Sequence, residues 1–433
     1  MSRRRRRWPR TQPPTYSPLS VGSLARALGA TITGSNARER LATLLGEAYG
    51  GNVVLCSSGT DALTRGIRLA DSMSGGSHIV ALPAYGCFDL ATAAVGADAR
   101  VMLYDLDPVT LAPDLASLRE TLVHGARVVV CAPYYGLVLN WEALTELASE
   151  FGAILVEDAA QSCGATWRGR PVGSLGIISV LSFGRGKGWT GSHGGALLAR
   201  GSAADTLQSR TPSLLRGALP SANGAMDVIT ASAQFLLGRP ALYTLPASIP
   251  WVALGETRYH DPSPSAEMSR AAAAMLLASR ERALSEVIIR RETAAWYDQQ
   301  IASIGALTRM TTLTDHVPGY LRYAVRVPGG FAGLADVRHA RALGIAPAYP
   351  SLLGALPAIR QRLERELTLP GAALIQRELV TLPTHSLLSA AERIRIVALL
   401  AASVQSGLVA VSAFGPESVR VATGAGVNAA GGA

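Results

Sequence analysis

The chain has 433 residues, 48% of them hydrophobic and only 16% charged, which excludes a largely disordered protein and predicts two or three domains around a sizeable core. Of its formal charge of +9, six positive charges come from Arg3 to Arg7 and Arg10, so the rest of the chain carries only +3. The basic balance describes a tail and excludes a nucleic-acid-binding face over the body.

The opening segment, MSRRRRRWPRTQPP, lacks the apolar stretch that a twin-arginine export signal needs after its arginines. Residues 1–20 read as a disordered basic arm, with contact to acidic lipid or RNA as the alternative. From about residue 50 to 200, short β-branched runs alternate with helix-like segments. The runs lie at 52–56, 78–83, 99–104, 127–133, 153–158, 177–183 and 195–199, and helices are predicted at Asp61–Ala70 and Trp141–Glu150. Continuous apolar strands are buried on both faces, so the pattern predicts an α/β fold with a mostly parallel central sheet and a site past the carboxyl ends of its strands. Cys56, Cys87, Cys131 and Cys163 form no CxxC pair and lie in or beside apolar runs. That argues against a metal site or a disulfide framework and for reduced thiols in a cytoplasmic protein.

Beyond residue 200 the signal weakens. The apolar segment 235–254 is broken by three prolines and Arg239, so it reads as a cover over a neighbouring subunit in preference to a membrane contact. A long helix follows from Ser269 to about Ile301, then a smaller α+β region with a strand at 320–328, a helix at 333–343 and a closing helix at Ala390–Val404. The domains expected are the arm (1–20), a large α/β domain (21–265), a small C-terminal α+β domain (266–415) and a disordered tail (416–433).

Three sets of residues stand at strand ends. SSGTDAL, 57–63, joins a strand to a helix; its hydroxyls and free helix-start amides suit a phosphate, though Ser and Asp also cap helices with no ligand. In VEDAAQSCGA, 156–165, Glu157 and Asp158 end a buried strand. A carboxylate there needs a partner, and a protonated ligand nitrogen would serve; capping the next turn is the alternative. In SFGRGKGWTGSHGG, 182–195, Lys187 lies between glycines. A Walker A loop would need glycine at 181 and Ser or Thr at 188, where Leu181 and Gly188 stand. A lysine that condenses with a carbonyl fits better, since small neighbours allow close approach. Phosphate loop, acid and lysine in this order suit one ligand, pyridoxal 5′-phosphate.

These motifs, with GRPVGSLG and PAYGCFDLATAAVGA, resemble the DegT/DnrJ/EryC1/StrS family of pyridoxal-phosphate-dependent sugar aminotransferases, over about residues 20–405. The resemblance implies the fold-type-I, aspartate-aminotransferase-like architecture. It implies that Lys187 forms the internal aldimine and shuttles the proton, and that Asp158 pairs with the pyridinium. Gln161 would lie against the ring, Phe88 or Tyr85 would stack on it, and Ser182, Gly59, Thr60 and Ser58 would hold the phosphate. It further implies a homodimer that moves an amino group from glutamate to a keto sugar carried on a nucleotide. Two departures bear on the substrate: Ser192-His193-Gly194-Gly195 replaces the common Gly-Glu-Gly-Gly, and the histidine frequent before the Tyr-Gly is missing near Tyr134. The alternatives are another pyridoxal-phosphate reaction, dehydratase or lyase, on the same scaffold, and a non-catalytic cofactor-binding regulator.

Overall fold

A computed structural model of the protein describes residues 10–33, 35–214, 224–247 and 257–413. Its centre is a sheet of seven strands: β1 (Asn52–Cys56), β2 (Ile79–Pro83), β3 (Arg100–Tyr104), β4 (Val128–Cys131), β5 (Ile154–Asp158), β6 (Ile178–Ser182) and β7 (Gly195–Ala199). They lie in the order β1-β7-β6-β5-β4-β2-β3. β2, β4 and β7 are buried along their whole length, as strands covered by helices on both faces should be.

The parallel expectation holds for β6 through β3, and β7 is the exception, pairing antiparallel with both β1 and β6. A parallel neighbour needs a crossover, usually helical. The chain between Ser182 and Gly195 contains no helix, so it turns back directly. That return loop carries Lys187, and its lack of a crossover keeps it at the carboxyl edge of the sheet.

The small domain is built on a four-stranded antiparallel sheet in the order Thr308–Arg309, Tyr323–Arg326, Leu379–Leu382, Ala346–Pro347. The helix Arg270–Ile301 serves both domains. Its Ala272, Ala273, Leu276 and Ala283 pack with Leu41, Leu45 and Phe183 of the large domain. Its Ala294, Tyr297 and Ile301 pack with Val325 and Leu400 of the small one. The division expected at residue 266 lies just before this helix, whose first half packs in the core of the large domain and whose last turns pack in that of the small one.

Residues 10–20 correct the expectation of a disordered arm to residue 20. Thr11 N–H donates to the Pro240 carbonyl at 3.1 Å and Gln12 N–H to the Ala342 carbonyl at 2.8 Å. Gln12 Nε2 bonds the Leu387 carbonyl at 3.2 Å, the Pro13 carbonyl accepts from His385 Nε2 at 2.8 Å, and Leu19 is fully buried. The segment is a strap across both domains. Its prolines carry no N–H to satisfy, so an extended path with bonded carbonyls suits it. The arginines Arg3 to Arg7, the tail 416–433 and residues 248–254 of the apolar segment lie outside the described residues. Among the described residues no helix is long and apolar enough to cross a membrane.

Candidate active site

Successive side chains of a strand point to opposite faces, so the two acids at the end of β5 part company. Glu157 is fully buried and accepts from the amides of Gly173 (2.6 Å), Leu175 (2.9 Å) and Gly176 (3.1 Å) and from Ser179 Oγ (2.7 Å). It organises the GRPVGSLG loop. Asp158 points into a cavity at the carboxyl edge of the sheet, where its Oδ1 accepts from Ala160 N–H at 3.1 Å. Burial raises its carboxyl pKa, the charge of Lys187 pulls the other way, and Asp89 adds to the rise. Among the described residues Asp158 has no ion pair, which leaves a half-buried acid short of a cation.

Across the cavity, β1 runs into the helix Gly59–Met73. Ser58 is its N-cap, with Oγ accepting from Asp61 N–H at 3.0 Å. Asp61 forms a bidentate pair with Arg65, 2.9 Å for each bond, and accepts from Ser265 Oγ at 2.7 Å. These two residues do the structural work of the helix start. Gly59 and Thr60, whose amides have no intrahelical acceptor, line the cavity opposite Ser182 at the end of β6. A Cβ at Gly59 would stand 2.5 Å from Ser182 Cβ, so only glycine lets the helix start and β6 meet here.

The glycines beside Lys187 have equally concrete causes. Gly186 and Gly188 adopt φ of +75° and +83°. A Cβ would fall 2.5 Å from Thr15 Oγ1 at Gly186 and 2.5 Å from Arg290 Nη1 at Gly188. The loop is pinned beyond them by Trp189 Nε1–H to the Leu276 carbonyl (3.0 Å) and by Thr190 Oγ–H to the Phe183 carbonyl (3.0 Å). Gly186 N–H donates to Ser17 Oγ of the strap at 3.2 Å. The backbone is held on both sides, and the Lys187 side chain enters the cavity.

The structure therefore brings Gly59, Thr60, Asp158, Gln161, Ser182 and Lys187 to one cavity with about 480 Å³ of empty space. It leaves Ser58 and Phe88 out of the lining. Phe88, which the resemblance implies as a stacking residue, is buried in the main core at the bend before the helix Asp89–Gly96, while Cys87 lines the cavity. Tyr85, the other aromatic considered, is also fully buried, with its hydroxyl 3.0 Å from that of Tyr135. Burial pushes the Cys87 thiol up to about 12, so it is a protonated, polarizable wall.

Asp89 and Tyr349 carry no signal in the sequence, and Tyr134 stands out there only where the family often has histidine. Asp89 and Tyr134 line the cavity directly. Tyr349 comes from the small domain and accepts from Gln161 Nε2 at 2.8 Å, while Gln161 Oε1 accepts from Tyr135 N–H at 3.0 Å. The Gln161 amide is thus fixed in orientation, with one N–H left for a ligand. Tyr135 holds an unusual φ of +56°, a cost of about 1 kcal/mol or more for a non-glycine residue. The aromatic pair before Gly136 was the available signal; the distant Tyr349 had none. The residues present fit pyridoxal phosphate: an anion cradle at the helix start, an acid lacking a cation, and a lysine between them.

A sheet with this one reversed strand, carrying a lysine loop, an acid and a helix start at its carboxyl edge, defines the class of fold-type-I aminotransferases. A putative sugar aminotransferase from Streptococcus pneumoniae, solved in its PLP form, shares the fold with a TM-score of 0.70 over 90% of this chain and 98% of its own, at 18% identity. The chain belongs to the DegT/DnrJ/EryC1/StrS aminotransferase family, which it matches over residues 28–211 and 253–401. The family indicates pyridoxal phosphate as the cofactor. Relatives include the L-glutamine:2-deoxy-scyllo-inosose aminotransferase of Streptomyces lividus, 28% identical over 84% of this chain and 85% of that one. Another is the GDP-perosamine synthase of Caulobacter vibrioides, 25% identical over 81% of this chain and 85% of that one.

Proposed function

We propose that this aminotransferase moves an amino group from glutamate to a keto sugar carried on a nucleotide, working as a homodimer. The observation that carries the assignment is the meeting of Lys187, Asp158 and the Gly59–Ser182 contact in one cavity. The sugar acceptor is supported by relatives named for sugar substrates, GDP-perosamine synthase among them. When bound, pyridoxal phosphate supplies the electrophilic carbon and the electron-accepting ring. Asp158 provides the counter-charge that keeps the ring nitrogen protonated. The amides of Gly59 and Thr60 and the Ser182 hydroxyl donate to the phosphate oxygens. The N–H of Gln161 not used by Tyr349 would be free to donate to the cofactor. Lys187 Nζ anchors the cofactor and then takes and returns the proton at the substrate carbon, while buried Tyr134 and Leu90 limit water on that side.

The test is the visible absorbance of purified protein with pyridoxal phosphate, before and after adding glutamate, for wild type and Lys187→Ala. Wild type should be yellow, with a violet-blue absorbance band that glutamate shifts, and the variant should lose that band and drop in turnover by roughly 10³-fold or more. No band in wild type sinks the assignment. A band that glutamine shifts and glutamate does not would replace the donor with the one in the Streptomyces relative's name.

A further inference from the structure

Two helices, Val21–Ile32 and Gly224–Leu237, expose an apolar face to solvent. Both lie on the long helix Arg270–Ile301. Leu24 and Ala27 of the first and Val228, Ala231 and Phe235 of the second pack in one cluster with its Ala271 and Met275. They also meet each other, since a Cβ at Gly224 would fall 2.9 Å from Thr31 Cγ2. With their inner faces on one support, their outer faces look the same way, out of the molecule.

Those outer faces are apolar along their length. Residues three and four apart share one side of a helix. On the first helix Val21, Ala25, Leu28 and Ile32 follow that spacing, and all are exposed. On the second Met226, Ile229, Ala233 and Leu236 do the same. Ile32 is 77% exposed, Val21 70% and Ile229 61%, so these are not side chains tucked at the edge of a core. A single exposed leucine needs no explanation, whereas a continuous stripe on two adjoining helices marks a binding surface. The first helix holds no acid, and the second holds only Asp227, which is bonded to His193 Nδ1 (2.9 Å) and Ser269 Oγ. The second helix also falls between the two stretches that match the family, so its apolar face is an addition to what the match covers.

Charge selects the partner. Thr11 N–H donates to the Pro240 carbonyl and Thr11 Oγ1 accepts from Thr244 Oγ1, each at 3.1 Å. The chain before the strap therefore leaves beside the end of the second helix, where Leu242 and Leu245 are also exposed. Outward from Thr11 the sequence runs through Arg10, Pro9 and Trp8 to the five arginines Arg3–Arg7. Eight residues reach at most about 30 Å, and the second helix is about 20 Å long, so these arginines stay within range of the apolar face. We propose that the two helices and the arm together dock the enzyme on a membrane surface that carries anionic lipids. The helices lie flat in the interface with their outer side chains at the acyl boundary, and the arginines hold lipid phosphates. Such docking asks for no spanning helix, and none of the described helices could span. The sequence alone ranks a subunit contact above a lipid one for the apolar segment that begins at Phe235. The arm reverses that order: a twofold contact of this face with itself would bring two runs of arginines together, whereas an anionic surface offsets them.

The experiment is co-sedimentation of the full-length, cofactor-loaded protein with two kinds of vesicle, at low and at high salt. One is phosphatidylcholine alone and the other phosphatidylcholine with about 30% phosphatidylglycerol. The protein should pellet with the anionic vesicles, and less so at high salt. Three variants are compared: a truncation of residues 2–9, Ile229→Ser with Leu236→Ser, and Leu28→Ser with Ile32→Ser. Each should weaken binding at least about tenfold, while the visible cofactor band stays as in wild type. The serine pairs lie on different helices, so if one pair unfolds the protein the other still tests the face. No pelleting with anionic vesicles, or equal binding to the neutral ones, overturns the inference. Binding that the truncation abolishes and the serine pairs leave unchanged is adsorption of a basic tail only, and overturns it too. A smaller oligomer in the serine pairs without any vesicle would give the face to a second copy of the chain, with the same result.

Discussion

Asp158 shows most clearly what a single residue contributes. Asp158 is half-buried at the cavity wall with one hydrogen bond, from Ala160 N–H, and desolvation of its carboxylate raises its pKa above that of the unfolded chain. Folded protein then holds the proton more tightly than unfolded protein. The ionised group therefore costs stability at neutral pH, and the cost disappears as pH falls through the raised value to below the unfolded one near ~4. Asp158→Asn should make the cofactor-free protein melt no lower than wild type at pH 7, with any advantage gone at pH 3.5. Cofactor affinity should fall by roughly ten- to a thousandfold, the one to three pKa units that an adjacent opposite charge supplies. A cofactor-free variant that melts clearly lower at pH 7 would mean that Lys187 already compensates Asp158. The neighbouring acid was not separable from Asp158 by composition; strand alternation separated them, and only the fold shows that Glu157 faces three amides and a hydroxyl.

Among the elements, two loops rather than the strands decide the site. The loop after Ala165 is folded around Glu157, with Arg200 bracing it from outside through the Gly176 carbonyl (2.6 Å) and Ser179 Oγ (2.9 Å). Glu157→Gln keeps one accepting oxygen and turns an NH₂ toward groups that themselves donate. Leaving one or two buried donors unpaired should cost about 2–4 kcal/mol, measured by urea unfolding. A loss under ~1 kcal/mol would show that the loop repacks or that water replaces the carboxylate oxygen. The lysine loop is held differently, by two glycines in left-handed conformation and by anchors on both sides. Glycine density around Lys187 is visible in the chain. Its cause is not, because Thr15 and Arg290 come from remote segments.

Over the whole molecule, the strap and the long helix tie the two domains together. Burial holds the His385 imidazole neutral, with its pKa lowered to about 4, so it can donate to the Pro13 carbonyl without carrying a charge into the core. A truncation of residues 2–9 keeps every strap contact named above and sets the reference melting temperature. Removing residues 2–19 should lower it by several degrees. That deletion uncovers the site of Leu19, worth about 1.5–3 kcal/mol of burial, and strips the acceptor from His385. Equal melting of the two truncations would show that the strap is not part of the folded core.

The amino-acid sequence by itself determined the α/β architecture, the positions of the seven sheet strands to within a residue or two at most ends, and six of the residues that meet in the cavity. Those features rest on local information: apolar runs, helix starts and strand ends follow from neighbours in the chain. The tertiary structure alone decided the reversal of β7, the burial of Phe88 in the core, the sharing of one helix between two cores and the packing of residues 10–20. Each depends on which distant surface a side chain finds. Phe88 and Cys87 are adjacent in sequence, and a turn of the backbone sends one inward and the other to the cavity. Tyr349 reaches Gln161 from 188 positions away, a contact no local pattern encodes.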